Sequence, residues 1–106
     1  MSFISPSQLK EKVLEHKELA LVDVRSEGAF AGAHLLYAIS IPLAKLELEF
    51  RHLIPRLDTP IVLCDDASGL VDIAVVRLTA FGYTQVQILD GGIEAWEKAV
   101  TKYSQV

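Results

Sequence analysis

Pro60-Ile61-Val62-Leu63-Cys64-Asp65-Asp66-Ala67-Ser68-Gly69-Leu70-Val71-Asp72-Ile73-Ala74 runs from a short apolar segment through a small polar loop straight into an amphipathic helix. A strand that turns into a helix in this way gathers loop N–H groups and a helix N-terminus around one point. The positive partial charges there make an anion cradle. The residue at the mouth of the loop then sets the chemistry. Cys64, the only cysteine of the chain, stands beside that mouth, and Asp65 and Asp66 follow it.

Outward from this segment the same alternation recurs. Ser5, Pro6 and Gln8 have the spacing of a capping box with proline in the first turn. They predict a helix that carries Leu9, Val13 and Leu14 and reaches about His16. Segments 19–24, 38–41, 61–64 and 85–89 read as buried strands, apolar on both faces. Segments 27–31, 43–53, 71–81 and 93–100 read as helices, with Leu43, Leu46, Phe50 and Leu53 on one face of the second. Gly82 is placed to end the third helix, and Asp90-Gly91-Gly92 to turn the chain. The expectation is an α/β fold: a central, mostly parallel sheet of about five strands between layers of helices, with ligands at the carboxyl ends of the strands. Residues 1–106 are expected to form one domain.

Composition narrows the function. With 51% apolar and 23% charged residues the chain is expected to bury a core. A net charge of −4 with no basic stripe argues against nucleic-acid binding. A single cysteine excludes an internal disulfide, and His16, His34 and His52 show no metal-ligand spacing with it. No cofactor is expected, because Gly91-Gly92 lacks the spacing of a dinucleotide loop. Ser68-Gly69 lacks a nucleophile elbow. No export signal and no membrane-spanning run is evident, so the expected setting is cytoplasmic.

At this point the chain resembles the rhodanese (sulfurtransferase) homology domain, over nearly its full length. Leu21-Val22-Asp23-Val24-Arg25 is similar to that family's first strand with its Asp-Val-Arg ending. Phe30 to Pro42 resembles the stretch that reads aromatic, then Gly-His-Ile-Pro-Gly-Ala-Ile-Asn-Ile-Pro, with Ala33, Leu36 and Tyr37 in place of Gly, Pro and Gly. Phe81-Gly82-Tyr83, Val86, Leu89-Asp90-Gly91-Gly92 and Ala95-Trp96 resemble the closing signature.

The resemblance implies a loop Cys-Arg-x-Gly-x-Arg whose thiolate takes a sulfane sulfur and passes it on as a persulfide. That chemistry needs a thiol of lowered pKa, supplied by loop N–H groups, a helix N-terminus and arginines. Two counts locate the position. Forward, the family's Pro-Ile-Val-Val-Tyr-Cys falls on Pro60 to Asp65; backward, its Ala, Leu and Gly-aromatic positions fall on Ala74, Leu78 and Gly82-Tyr83 without a gap. Both put Asp65 at the nucleophile position. Cys64, one residue earlier on a strand, points to the other face and reads as a small buried core residue. Asp66 and Leu70 replace both arginines, so the active-site-like loop is Asp65, Asp66, Ala67, Ser68, Gly69 and Leu70. Asp65 is expected to fill the cradle with its own carboxylate. The six-residue loop is also one residue short of the related phosphatase variant, which still needs Cys and Arg.

Supporting positions follow. Asp23 and Arg25 are expected to form a structural ion pair bracing the loop, His34 to be a buried hydrogen-bonding residue, and Trp96 to pack on the sheet with Ala99 and Val100. His16 and His52 are expected on solvated helix surfaces. The leading expectation is a catalytically silent domain that serves as an interaction or regulatory module, with a protein partner, or beside a sister domain in a tandem sulfurtransferase. The alternative is an active sulfurtransferase carrying a persulfide on Cys64, with thiosulfate or another sulfane-sulfur donor. A third reading has Asp65 and Asp66 hold a cation or small ligand.

Overall fold

A computed structural model describes residues 2–103, with side chains to residue 99. In chain order it contains β1 (Ser2–Ile4), α1 (Pro6–Leu14), β2 (Ala20–Asp23), α2 (Glu27–Gly32), β3 (Ile39–Ser40), a 3-10 turn (Leu43–Lys45), α3 (Leu46–Leu53), β4 (Ile61–Cys64), α4 (Leu70–Ala80), β5 (Val86–Leu89) and α5 (Gly92–Tyr103). The five strands form one sheet in the order β1-β5-β4-β2-β3, every neighbouring pair parallel. The expected α/β architecture is therefore present. Four of its strands lie where the sequence places them.

The fifth strand is β1, which no sequence signal located. It is three residues long and only Ile4 is buried, so neither alternation nor an apolar run marks it. The parallel register sets Ile4 beside Leu89, and the Asp90 amide donates to the Ile4 carbonyl at 2.9 Å.

Local chemistry sets most helix ends. Ser5 Oγ accepts from the Gln8 amide at 3.1 Å, Gln8 Oε1 accepts from the Ser5 amide at 2.9 Å, and Pro6 opens α1. That helix stops at Leu14, two residues before the expected end. Past its Glu15 cap, His16 turns into the left-handed region at φ +55°. The 43–53 segment is not one continuous helix. A 3-10 turn after Pro42 precedes α3, in which Leu46 and Phe50 are fully buried. Leu53, the last residue of α3, stays half exposed, and Ile54, which leaves helical geometry at φ −131°, takes the inward position.

Alternation along the strands divides the core into two. One side packs Val22, Val24, Leu63 and Ile88 against Leu46 and Phe50 of α3 and Ala74 and Leu78 of α4. The other packs Leu21, Val62, Cys64 and Leu89 against Leu9 of α1 and Ile93 of α5, with Trp96 partly buried there. The side chain of Val100, expected beside Trp96, lies outside the described residues, as do Met1 and 104–106. The buried Tyr83 hydroxyl donates to the Ile54 carbonyl and lies 3.1 Å from that of Phe50, and burial pushes its pKa up. It ties the end of α4 to the end of α3.

Candidate functional site

β4 ends at Cys64, and the chain reverses through 65–69 before α4 begins at Leu70. Ala67 and Gly69 both stand in the left-handed region, at φ +66° and +92°, which curls the loop over its own amides. Gly69 caps α4 and has no side chain with which to satisfy its first amides. Asp65 supplies what is missing. Its carboxylate, 2% exposed as a residue, accepts from the Ala67 amide at 2.8 Å through Oδ1 and from the Val71 amide at 3.2 Å through Oδ2. A fixed negative charge thus sits on the helix N-terminus, where the macrodipole favours it.

Its neighbours do different things. Asp66 is exposed; the Ser68 hydroxyl, together with the nearby Arg25 charge, holds its carboxyl below the usual range. Leu70 is half-buried at the first turn of α4 and offers no charge toward the cradle.

Cys64 points to the opposite side of the sheet. Its thiol is fully buried in the cluster with Leu9, Leu21 and Ile93, and burial pushes its pKa from 9.0 to about 12. The Asp23 charge adds to that rise and Arg25 opposes it. Persulfide chemistry needs the reverse shift.

Asp23 stands directly across from Cys64 in the β2–β4 register and is completely buried. Arg25 folds back onto it: Nη2 donates to Oδ2 at 2.8 Å, Nε to Oδ1 at 3.1 Å, and the Arg25 amide to Oδ1 at 3.0 Å. The same Nη2 donates to the Ala33 carbonyl at 2.6 Å. The pair therefore joins the end of β2 to the exit of α2, with the guanidinium close enough to influence both Cys64 and Asp66.

His34 departs from expectation. It is exposed, its ring stacked on Phe30 at 3.9 Å and its Nδ1 2.9 Å from the Phe30 carbonyl, so its contacts stay within α2 and its exit. Beyond the Phe30 ring, the alanines and glycine that end this short helix are too small to cover the imidazole. His16 and His52 are also exposed, His16 just beyond α1 rather than on it.

One partner of the loop was not read from sequence. Ile93 donates its amide to the Asp65 carbonyl at 2.9 Å. A Cβ on Gly92, at φ +68°, would stand 2.7 Å from the same oxygen and 3.2 Å from the Ala67 nitrogen. The Gly91-Gly92 pair is thus the seat of the loop as well as a turn. The available signal was its position after the strand next to β4. Among the described residues, no group of three His, Cys, Asp or Glu side chains could hold a metal ion.

The rhodanese-like domain family matches the chain over residues 5–99. A Bacillus subtilis (strain 168) protein, uncharacterized protein YqhL, is 32% identical over 81 residues, covering 76% of this chain and 63% of that protein. A thiosulfate sulfurtransferase from Pseudomonas aeruginosa superposes with a TM-score of 0.89 at 43% identity, covering 93% of this chain and 19% of that one. The human single-domain sulfurtransferase TSTD1 matches in fold, with a TM-score of 0.80, 22% identity, and 92% and 96% covered. The chain thus spans less than two thirds of the Bacillus relative and about a fifth of the Pseudomonas one.

Proposed function

The chain belongs to the rhodanese-like domain family, and we propose that it is a catalytically silent member whose cradle is occupied by its own Asp65 carboxylate. One observation carries the reading: the amides of Ala67 and Val71 are already spent on Asp65. An incoming anionic donor would meet carboxylates at 65 and 66 where sulfur transfer needs a thiolate and cations. The remaining thiol, Cys64, lies on the other face with a pKa of about 12. Burial thus keeps this thiol protonated, the reverse of what a sulfur nucleophile needs.

A domain of this kind acts through what it binds or what it sits beside. The Pseudomonas sulfurtransferase is about five times as long as the region matched, which supports a place beside sister domains as well as one as a free module. The test is intact-mass spectrometry after thiosulfate treatment, followed by a cyanide chase. The expected result is no added sulfur and no thiocyanate. A persulfide on Cys64 that turns over to thiocyanate would overturn the reading and make this a sulfurtransferase.

A further inference from the structure

The turn that leaves β5 carries a chemistry unrelated to sulfur. Asp90 and Gly91 are both exposed, and Gly92 after them is buried against the Asp65 loop. The Asp90 amide is fixed to the Ile4 carbonyl at 2.9 Å. Among the described residues no hydrogen bond engages the Asp90 carboxyl, and none engages the Gly91 amide. A free carboxyl is thus followed by a free main-chain nitrogen.

Packing keeps that next residue small. A Cβ at position 91 would stand 2.6 Å from the Ala95 Cβ, at φ +78°, so the fold accepts only glycine there. Bulk on the following residue is what ordinarily shields an aspartyl carboxyl from the next amide nitrogen, and here the fold forbids the shield. The chain has six aspartates and no asparagine. The other five aspartates are protected. Arg25 holds Asp23, Arg56 holds Asp58, and the Ala67 and Val71 amides hold Asp65. Ser68 holds Asp66, and the Ala67 nitrogen that follows it is spent on Asp65. Asp72 lies within α4 and precedes the β-branched Ile73. Among the described residues, Asp90 alone combines exposure, a free carboxyl and glycine as its successor.

We propose that Asp90-Gly91 is a site of spontaneous backbone modification, passing through a succinimide to isoaspartate. The Gly91 nitrogen attacks Asp90 Cγ. The N–Cγ bond forms, the bond from Cγ to the carboxyl hydroxyl breaks, and that hydroxyl leaves with the amide proton as water. Water then opens the ring. Addition at Cγ restores aspartate; addition at the main-chain carbonyl leaves isoaspartate, with the chain routed through Cβ and Cγ. One water leaves and one returns, so no oxidant or cofactor takes part. The product carries an extra main-chain carbon directly ahead of Gly92. There the backbone lies close against the Asp65 carbonyl and the Ala67 nitrogen, and the Ile93 amide donates to that carbonyl at 2.9 Å. A change at an exposed turn therefore reaches the buried cap of α4. The inference goes beyond the silent-domain reading and needs nothing from it.

The test warms the full chain at pH 7 beside a synthetic peptide of residues 86–94, both for the same period. Peptide mapping with electron-transfer fragmentation, which separates isoaspartate from aspartate of equal mass, reads each aspartate in turn. Isoaspartate is expected at position 90, forming within about tenfold of the rate in the free peptide because an exposed turn needs little opening. The other five aspartates should stay unconverted. Asp90→Glu lengthens the side chain beyond easy ring closure and should abolish the conversion; circular dichroism checks that this variant folds. The converted fraction, isolated by chromatography, should melt about 4 °C or more below the parent. A folded chain that keeps aspartate at 90 while the peptide converts would overturn the site. Conversion first at another aspartate would overturn the account of protection, and a converted fraction that melts with the parent would overturn the link to the loop. A persulfide on Cys64 would sink the silent-domain reading and leave these measurements untouched.

Discussion

The Asp65 carboxylate and the Val71 amide meet at 3.2 Å across the loop they enclose, so the side chain that opens the loop also caps the helix that closes it. Glycine at the cap position makes this contact necessary: α4 has no other side chain on its first turn of amides. Removing it leaves two amides, those of Ala67 and Val71, without their acceptor. Asp65→Ala is expected to lower stability by about 1–3 kcal/mol. Asp65→Asn keeps one acceptor oxygen and should lose less. Urea unfolding at pH 7 measures both, and an alanine variant as stable as the parent would show that the contact contributes nothing.

Cys64 should behave as a core residue with a reluctant thiol. Its labelling by a thiol reagent is expected to be slow in the native chain and fast in urea. Because its folded pKa is about 12 and the ordinary value 9.0, the unfolded chain gives up the proton first as pH rises. Stability from this group is therefore complete below pH 9 and lost between about pH 9 and pH 12. A Cys64→Ala variant should be less stable near neutrality but show a shallower decline over that window. Identical slopes in parent and variant would contradict the buried thiol.

Restoring the missing groups at the loop should restore sulfur chemistry. The combined Asp65→Cys and Asp66→Arg variant is expected to take up one sulfur from thiosulfate, mapped by peptide mass to position 65 and not to 64. Adding Leu70→Arg should raise the thiosulfate:cyanide rate further, since each cation stabilises the thiolate and draws in the anionic donor. Sulfur found on position 64 instead would mean that the loop register is wrong.

Gly92→Ala should be among the most harmful single-atom-scale changes in the chain. The added Cβ stands 2.7 Å from a backbone oxygen that has no room to move, at a positive φ besides. A loss of about 2 kcal/mol or more is expected. Gly28 offers the control: a Cβ there meets nothing within 4 Å, in a helix, so Gly28→Ala should be neutral or stabilise by about 0.5–1 kcal/mol. Thermal melts of the two variants should move apart.

Tyr37→Gly is expected to relieve the left-handed backbone and raise stability by about 1 kcal/mol or less, after allowance for the freer unfolded chain. A less stable variant in thermal melts would show that the exposed ring contributes more than the strain costs.

Much of this was legible in the residues, for reasons that differ along the chain. β4 was found to the residue, because four consecutive apolar side chains between Pro60 and Asp65 can only be buried on both faces. The N-terminal start of α1 was legible because Ser5, Pro6 and Gln8 act locally. β1 was not, since three residues with one buried side chain owe their structure to the exposed edge of β5 and not to their own pattern. Leu53 was misplaced because a helical wheel assumes that the helix continues, whereas α3 ends there and the non-helical Ile54 turns inward in its stead. At the loop, the positions of Asp65 and Cys64 followed from counting and alternation. The contribution of Gly92 and the Ile93 amide did not, because both reach the loop from the neighbouring strand's exit, through space.

A carboxylate that doubles as a helix cap makes the loop hard to reverse by single steps. Exchanging Asp65 for cysteine alone would discard the cap before any arginine was present to hold a thiolate there. Adding arginine first, at 66 or 70, would place a cation beside a pair that is already complete. The first of these moves costs the fold a cap, and neither is expected to return activity by itself. Helix stability and loop chemistry are therefore tied to the same carboxylate, and neither can change without the other.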